Sequence, residues 1–155
     1  MVASAAYESP AAALTLAEGI AEYYARSPGL ADVAAMSPAA QAFFRSHDVA
    51  HVVFGCSIEL PDEAVVKIAS MFGTTGGFGV LQGYRLPDSR LIYTTLDSVA
   101  VRSTFARAAV LVPRTIARCL RQREKWPWAQ ADHAPWLGER LHALRTQFGI
   151  RVARE

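Results

Sequence analysis

The stretch RSHDVAHVVFG, residues 45–55, places two histidines and an aspartate inside an otherwise apolar run. His47 and His51 are four residues apart, so on a helix they lie on the same face, one turn from each other. Phe43 and Phe54 fall on that face too, which indicates that it points into the protein. Ionisable groups are costly to bury unless they pair or bind a metal ion. The stretch therefore predicts a buried helix that carries a polar site.

Start and stop signals give this helix its limits and predict another helix directly after it. Ser37-Pro38 supplies a capping hydroxyl and a first-turn proline, and Gly55 is a typical helix end. A second helix is expected from about Pro61 to Phe72, with Gly73 after its end. Its residues are apolar almost all round, as expected for a buried helix.

Three further segments show helical periodicity. The first begins at Ser9-Pro10 and stops at Ser27-Pro28-Gly29. The next runs from Asp97 through Trp126, with Pro113 predicted to kink or divide it. The last lies near Trp136 to Phe148 and ends at Gly149.

Residues 73–96 leave two alternatives open. Pro87-Asp88-Ser89 lies between two β-prone runs and could turn a short hairpin, or the segment could be a loop that leads into a helix. The glycines of GTTGGFG, residues 73–79, are followed by no Gly-Lys-Ser/Thr, so a flexible connection is favoured over a phosphate loop. The predicted fold is all-α: one compact domain over residues 1–155 with five to seven helices and at most one short hairpin.

Composition excludes several classes of protein. The chain has 155 residues, of which 52% are hydrophobic, so disorder is not expected. No apolar run approaches the roughly 20 residues that span a bilayer, and the N-terminus lacks the pattern of a signal peptide. Cys56 and Cys119 are far apart and form no Cys-x-x-Cys pair, so we expect two buried, free cysteines. A cytoplasmic protein is expected.

The spacing after the histidines can return a carboxylate to them. Eleven residues separate His51 from Glu63, which is room for a helix end, a turn and a new helix. Asp48 lies about 100° round the helix from His47. Two imidazoles with one or two carboxylates suit Zn²⁺, and two histidines with one carboxylate also suit Fe²⁺. The alternative is a pair of core histidines bonded to carbonyls or to Asp48, with Glu63 as an ordinary first-turn acid.

The motif residues also resemble a known family. His-Asp-x-x-His, followed eleven residues later by Glu, is similar to the signature of the ubiquinone biosynthesis protein Coq4 family. The surrounding matches are Arg45 before the motif, His51-Val52 and Gly55 after it, and Arg145 with Phe-Gly-Ile at 148–150. The likeness is strongest over residues 40–75.

The resemblance implies an all-α fold, a zinc ion and a role in coenzyme Q synthesis. It implies that the residues of the metal and catalytic site are His47, Asp48, His51 and Glu63. The implied reaction is the decarboxylation at ring carbon 1 of a polyprenylated hydroxybenzoate, coupled to hydroxylation, which is a lyase of the polyprenylbenzoate decarboxylase type. The alternative is a noncatalytic scaffold that binds a lipid or quinone precursor and whose metal is structural. A homodimer and contacts with other quinone-biosynthesis enzymes are also expected.

Basic residues are concentrated in the C-terminal third. Residues 1–101 carry five basic and ten acidic side chains, whereas residues 102–155 carry eleven and four. The amphipathic segment 102–125, followed by Trp126-Pro127-Trp128, is typical of a helix at the inner face of a membrane, although an ordinary surface helix has the same pattern. No nucleic-acid recognition motif is present, so a nucleic-acid partner is not expected. His133 and His142 have no partner at ligand spacing and are expected at the surface.

Overall fold

The computed structural model describes residues 4–27, 32–89 and 98–153. Helices dominate these residues, no strand occurs among them, and the prediction of a compact all-α fold is confirmed. Four 3₁₀ segments occur among these residues, one before the first α-helix and three between α-helices: Ala6–Glu8, Val33–Ala35, Gly77–Gly79 and Gln130–Trp136. Six α-helices lie wholly within the described ranges: α1 Leu16–Arg26, α2 Pro38–Phe54, α3 Leu60–Gly73, α4 Val80–Tyr84, α5 Ser98–Leu120 and α6 Leu141–Phe148.

The residues predicted to begin and end the histidine helix, α2, do so in the structure. The Ser37 hydroxyl accepts a hydrogen bond from the Ala40 N–H, and Pro38 is in the first turn of α2. Gly55 ends the helix in the left-handed region, with φ of 66°, which glycine adopts without steric cost. Helix α3 then begins within one residue of its expected start.

Two helices begin later than predicted. Helix α1 starts at Leu16, because Thr15 and Glu18 form a reciprocal capping box there, and Ser9-Pro10 forms only a turn. Helix α6 starts at Leu141 because the preceding backbone pairs with another segment. The Leu141 N–H donates to the Leu14 carbonyl at 2.8 Å, and the Leu16 N–H donates to the Glu139 carbonyl at 2.9 Å.

Two segments for which the sequence left alternatives, residues 73–96 and the region of Pro113, contain helix in the described part of the structure. The hairpin alternative is wrong in its first half, since Val80–Tyr84 and residues 87–89 are helical, and residues 90–97 lie outside the described part. Helix α5 continues through Pro113, whose exposed position lets the missing hydrogen bond face solvent, so the predicted division does not occur. No helix in the described ranges has the length and apolar character needed to cross a bilayer.

Helix α2 is central, and α1, α3 and α6 surround it. The core contains side chains from all four helices, among them Leu16, Val52, Val66 and Leu141, each fully buried. Helix α5 packs along α3. Both cysteines are buried and free, as predicted.

A buried arginine joins the C-terminal end of α2 to the two ends of the chain. Arg145 on α6 is 3% exposed. Its guanidinium donates to the carbonyls of Val52 and Val53 at 2.8 and 2.9 Å, and to those of Tyr7 and Ser9 at 2.6 and 2.7 Å. A positive charge also suits the C-terminal end of a helix. One side chain on α6 therefore satisfies four main-chain carbonyls, two at the end of α2 and two in the N-terminal segment.

Replacement of this guanidinium should be strongly destabilising. We expect Arg145→Met to lower the free energy of unfolding by about 3 to 5 kcal/mol, because buried carbonyls lose charge-assisted hydrogen bonds. Urea unfolding followed by circular dichroism measures this change. The control Arg151→Met removes an exposed arginine and should change stability by less than about 0.5 kcal/mol. Equal effects of the two substitutions would contradict this role of Arg145.

Helix α4 approaches α2 so closely that only a glycine fits at the contact. A Cβ atom added to Gly83 would overlap the ring of Phe43 on α2. Phe43 packs edge-on against Tyr84, with ring centroids 4.9 Å apart, and against Trp128 at 6.0 Å. The residues after the glycine-rich segment are therefore fixed over α2.

The close approach gives a second stability prediction. Gly83→Ala should destabilise the protein by about 1 to 3 kcal/mol, since Phe43 or α4 must move to admit the methyl group. Gly79→Ala is the matched control, because a Cβ at Gly79 meets no atom within 4 Å, and should change stability by less than about 0.5 kcal/mol. Thermal unfolding of both variants compares them. A neutral Gly83→Ala would show that α4 does not pack on Phe43 as described.

Candidate metal centre

The two histidines of α2 direct the same nitrogen towards each other. The Nε2 atoms of His47 and His51 are 3.2 Å apart. The other ring nitrogen of each histidine is held elsewhere. The Nδ1–H of His51 donates to the Cys56 carbonyl at 3.3 Å, and Nδ1 of His47 is hydrogen-bonded to the Tyr84 hydroxyl at 3.2 Å. These bonds fix both rings, as hydrogen bonds to the second ring nitrogen do for histidines that bind metals.

Glu63 in the first turn of α3 completes a group of three. Its Oε1 atom is 3.2 Å from Nε2 of His51, and its Oε2 atom is 3.4 Å from Nε2 of His47. The neighbouring Asp62 binds Ser57 instead: its carboxylate accepts hydrogen bonds from the N–H and from the hydroxyl of Ser57, both at 2.7 Å. The turn after Gly55 thus directs Glu63, and not Asp62, to the histidines.

The three groups fit a divalent metal ion. Their ligand atoms all lie within 4.8 Å of one another. With metal–nitrogen bonds of the usual length, two ligands of a tetrahedral zinc ion are about 3.3 Å apart, which matches the 3.2 to 3.4 Å measured between these atoms. Two histidines and one carboxylate with further positions open also suit ferrous iron. The group could hold a metal ion, and its geometry does not select between these two.

Mutual contacts set the charges of the group. Burial favours the neutral acid of Glu63, but hydrogen bonds from His47 and His51 outweigh it and lower the pKa of this carboxyl group well below its usual range. For His51, burial is the largest single influence and lowers the pKa. The hydrogen bond and charge of Glu63 and the charge of Asp48 together outweigh it, so the pKa of His51 is raised. The site therefore favours an anionic carboxylate beside positive charge, whether that charge is a proton or a cation.

Asp48, the fourth residue predicted for the site, is bound elsewhere. Its carboxylate accepts hydrogen bonds from the hydroxyls of Tyr24 at 2.8 Å and Tyr23 at 3.3 Å, both on α1. Burial raises the pKa of Asp48, and the Tyr24 hydroxyl and the two histidines offset part of this rise. The structure brings three of the four predicted residues together, and the fourth links α2 to α1.

The histidines are enclosed and only the carboxylate reaches the surface. His47 is 3% and His51 0% exposed, whereas the Glu63 side chain is 27% exposed. Aromatic rings cover the histidines: Phe43 stacks on His47, with centroids 5.7 Å apart, and Tyr23 stacks on His51 at 5.2 Å. Access to the group is therefore from the side of Glu63.

Phe43, the ring that covers His47, also lines an apolar groove. The groove encloses about 1040 Å³ open to solvent. Lys67 lies one turn after Glu63 on α3, with its ammonium group 4.4 Å from the centre of the Tyr84 ring. The side chains that form the groove with Phe43 include Ser46, Val80, Leu86 and Trp128.

Several residues of the site were not predicted from the sequence. Tyr84 follows the glycine-rich segment, in a region for which a hairpin or a loop was expected. Tyr23 and Tyr24 lie in a segment for which the sequence predicted only a helix. A tyrosine shows no sequence signal for the partner of its hydroxyl, so these contacts depend on the packing of separate helices.

The two histidines outside the group differ in burial. His133 is buried, contrary to prediction. Its Nε2 is hydrogen-bonded to the Pro127 carbonyl, and it stacks on Trp126. Burial lowers the pKa of His133. His142 is exposed, as predicted.

The glycine-rich segment is tied down, contrary to the predicted flexible connection. The Thr75 N–H donates to the Trp126 carbonyl, and the Trp126 N–H donates to the Gly73 carbonyl, both at 2.9 Å. Trp126 itself is buried in the core, which removes it from any membrane-facing surface of the basic segment. The side chains of Arg102 and Arg107 lie outside the described part.

The chain matches no protein-family model, no curated protein and no solved structure. The resemblance to the Coq4 family therefore stays an expectation from the motif residues and their spacing.

Proposed function

We propose that the protein acts in coenzyme Q biosynthesis as a Coq4-like, metal-dependent protein. Its substrate would be a polyprenylated hydroxybenzoate, which loses the carboxylate at ring carbon 1 in a reaction coupled to hydroxylation. The observation that carries the proposal is the group of His47, His51 and Glu63. An apolar groove shares Phe43 with it, since this ring stacks on His47 and also lines the groove. Zinc is the proposed metal, with ferrous iron as the alternative.

The three residues would hold the ion through two imidazole nitrogens and a carboxylate oxygen. A bound cation would supply Lewis-acid stabilisation to a substrate carboxylate or phenolate oxygen. The hydrogen bonds of Cys56 and Tyr84 would keep both imidazoles in the orientation that ligation needs. Asp48, which accepts from two tyrosines, would act in positioning α2 against α1.

The protein's side chains also suit the two ends of such a substrate. A prenyl tail would lie in the groove of Phe43, Val80, Leu86 and Trp128, which is mostly apolar. The ring carboxylate would meet Lys67, which lies one turn after Glu63 on α3 and has its ammonium group over the Tyr84 ring. The enclosing aromatic rings would exclude water from the histidines.

The overall reaction requires an oxidant. Replacement of a ring carboxylate by a hydroxyl group releases carbon dioxide and removes two electrons from the substrate. Zinc has no redox chemistry of its own, so a zinc protein would need dioxygen and a separate electron carrier. A ferrous site would need dioxygen alone or with an external reductant.

The second candidate function is a noncatalytic scaffold that binds a quinone precursor and contains a structural metal. The burial of His47 and His51 favours it, since structural metal sites are closed whereas catalytic sites keep an open position. The partial exposure of Glu63 favours catalysis. Both candidates use the same three ligands and the same groove.

We further propose that the protein attaches to the inner face of a membrane, where its lipid-soluble substrate would be found, and associates as a homodimer with other quinone enzymes. Two exposed apolar side chains on α5, Val110 and Leu120, each 68% exposed, support the membrane contact together with exposed Arg114 and Arg121.

Metal binding is the first test. Purified protein should contain about one equivalent of zinc or iron by mass spectrometry, and His47→Ala and Glu63→Gln should lower zinc affinity by more than about 100-fold, because each removes a ligand. Asp48→Asn should stay within about tenfold of wild type, since its carboxylate contacts tyrosines. His142→Ala, an exposed histidine outside the group, is the control. Equal loss in Asp48→Asn and Glu63→Gln would make Asp48 a ligand.

Quinone production separates the two candidate functions. In a host strain that lacks its Coq4-family protein, the wild-type chain should restore coenzyme Q, and His47→Ala should restore less than about one tenth of that amount while remaining folded by circular dichroism. That result supports catalysis. Unfolding of His47→Ala with loss of metal supports a structural ion. Full restoration by a folded, metal-free variant would contradict a metal-dependent function of either kind.

A further inference from the structure

A second open cleft lies at the C-terminal ends of α5 and α6. It encloses about 1050 Å³ open to solvent, and arginines dominate its walls. No aspartate or glutamate lines it. The basic residues that line it are Arg118, Arg121, Arg123, His142, Arg145 and Arg151.

Main-chain contacts bring these arginines together from separate segments. The Arg118 guanidinium donates to the carbonyls of Val152 at 2.9 Å and Ala153 at 3.3 Å. The Arg123 N–H donates to the Phe148 carbonyl at 2.9 Å, at the end of α6. These bonds hold residues 118–123 against residues 148–153, so that Arg121 and Arg123 share a cleft with Arg151. The basic walls therefore belong to an ordered part of the fold.

Three of the guanidinium groups are available to a ligand. Arg121, Arg123 and Arg151 are exposed, and their guanidinium groups form no hydrogen bond or ion pair with residues 4–27, 32–89 or 98–153. Like charges in one cleft repel one another and lower stability. His142 adds a ring at the wall whose Nδ1 donates to the Ala12 carbonyl at 3.1 Å. Such a concentration of positive charge without a carboxylate is typical of a site for a multiply charged anion.

We propose that this cleft binds a phosphate group. Planar guanidinium groups bind phosphate through paired hydrogen bonds, and several of them together suit a phosphate carrying more than one negative charge. The volume of the cleft leaves room for more than a bare ion. The phosphate belongs either to a soluble phosphate ester or to the headgroup of an anionic phospholipid.

Titration calorimetry and vesicle binding together test the proposal. The full-length protein is titrated with inorganic phosphate and with glycerol 3-phosphate, and is sedimented with phosphatidylcholine vesicles with or without phosphatidylglycerol. The double variant Arg121→Ala/Arg151→Ala should weaken binding of both soluble anions by about tenfold or more. Arg45→Ala/Arg85→Ala removes the same charge from exposed positions outside the cleft and should change these affinities less than about twofold.

The two sources of the phosphate give different outcomes. Binding of soluble phosphates with no gain from phosphatidylglycerol supports a soluble ester. Sedimentation that requires phosphatidylglycerol, is inhibited by glycerol 3-phosphate and is lost in Arg121→Ala/Arg151→Ala supports a headgroup. Absence of binding to both soluble anions and vesicles would overturn the proposal. So would an equal loss in Arg45→Ala/Arg85→Ala, which would indicate diffuse attraction of charge.

Discussion

The hydrogen bonds of the Arg145 guanidinium are the constraint on which the arrangement of α2 depends. They satisfy carbonyls in the last turn of α2, where a helix has no internal donors left, and carbonyls of the N-terminal segment. The chain then turns at Gly55 and starts α3 five residues later. These bonds tie the end of α2 to α6 and to the N-terminal segment just before α3 begins, and this fixed end sets where Glu63 lies.

The orientation of the histidines depends on the same contacts. Tyr7, whose carbonyl accepts from Arg145, donates its hydroxyl to the Cys56 carbonyl at 3.2 Å, and His51 donates its Nδ1–H to that same carbonyl at 3.3 Å. A shift of the N-terminal segment would therefore move the atom that orients His51. This coupling explains why a site built from α2 and α3 requires residues from both ends of the chain. It also explains why Arg145, although distant in sequence from the histidines, belongs with them.

The sequence predicted the parts of the structure that local rules determine. The ends of α2 and α3, and the return of a carboxylate to His47 and His51, follow from capping residues and helical spacing. The late start of α1 had a local signal too, in the capping box of Thr15 and Glu18. The partners of Asp48 and the contact of Tyr84 with His47 had no local sequence signal. They join separate helices, and residue spacing within one helix does not predict how helices pack. Asp48 was therefore expected beside the two histidines that flank it in sequence. In the structure its carboxylate instead accepts hydrogen bonds from Tyr23 and Tyr24 on α1.

The groove and the basic cleft lie at different parts of α2 and suit different ligands. The groove contacts the helix at Phe43, and Arg145 at the cleft contacts it at Val53. These positions are ten residues apart, about 15 Å along the axis, with both histidines between them. The proposed substrate, a prenylated hydroxybenzoate, has a carboxylate and an apolar tail but no phosphate. Lys67 would bind its carboxylate and the groove would bind its tail. A phosphate in the cleft would therefore come from another molecule, and it would fix the orientation of the protein without competing for His47, His51 and Glu63.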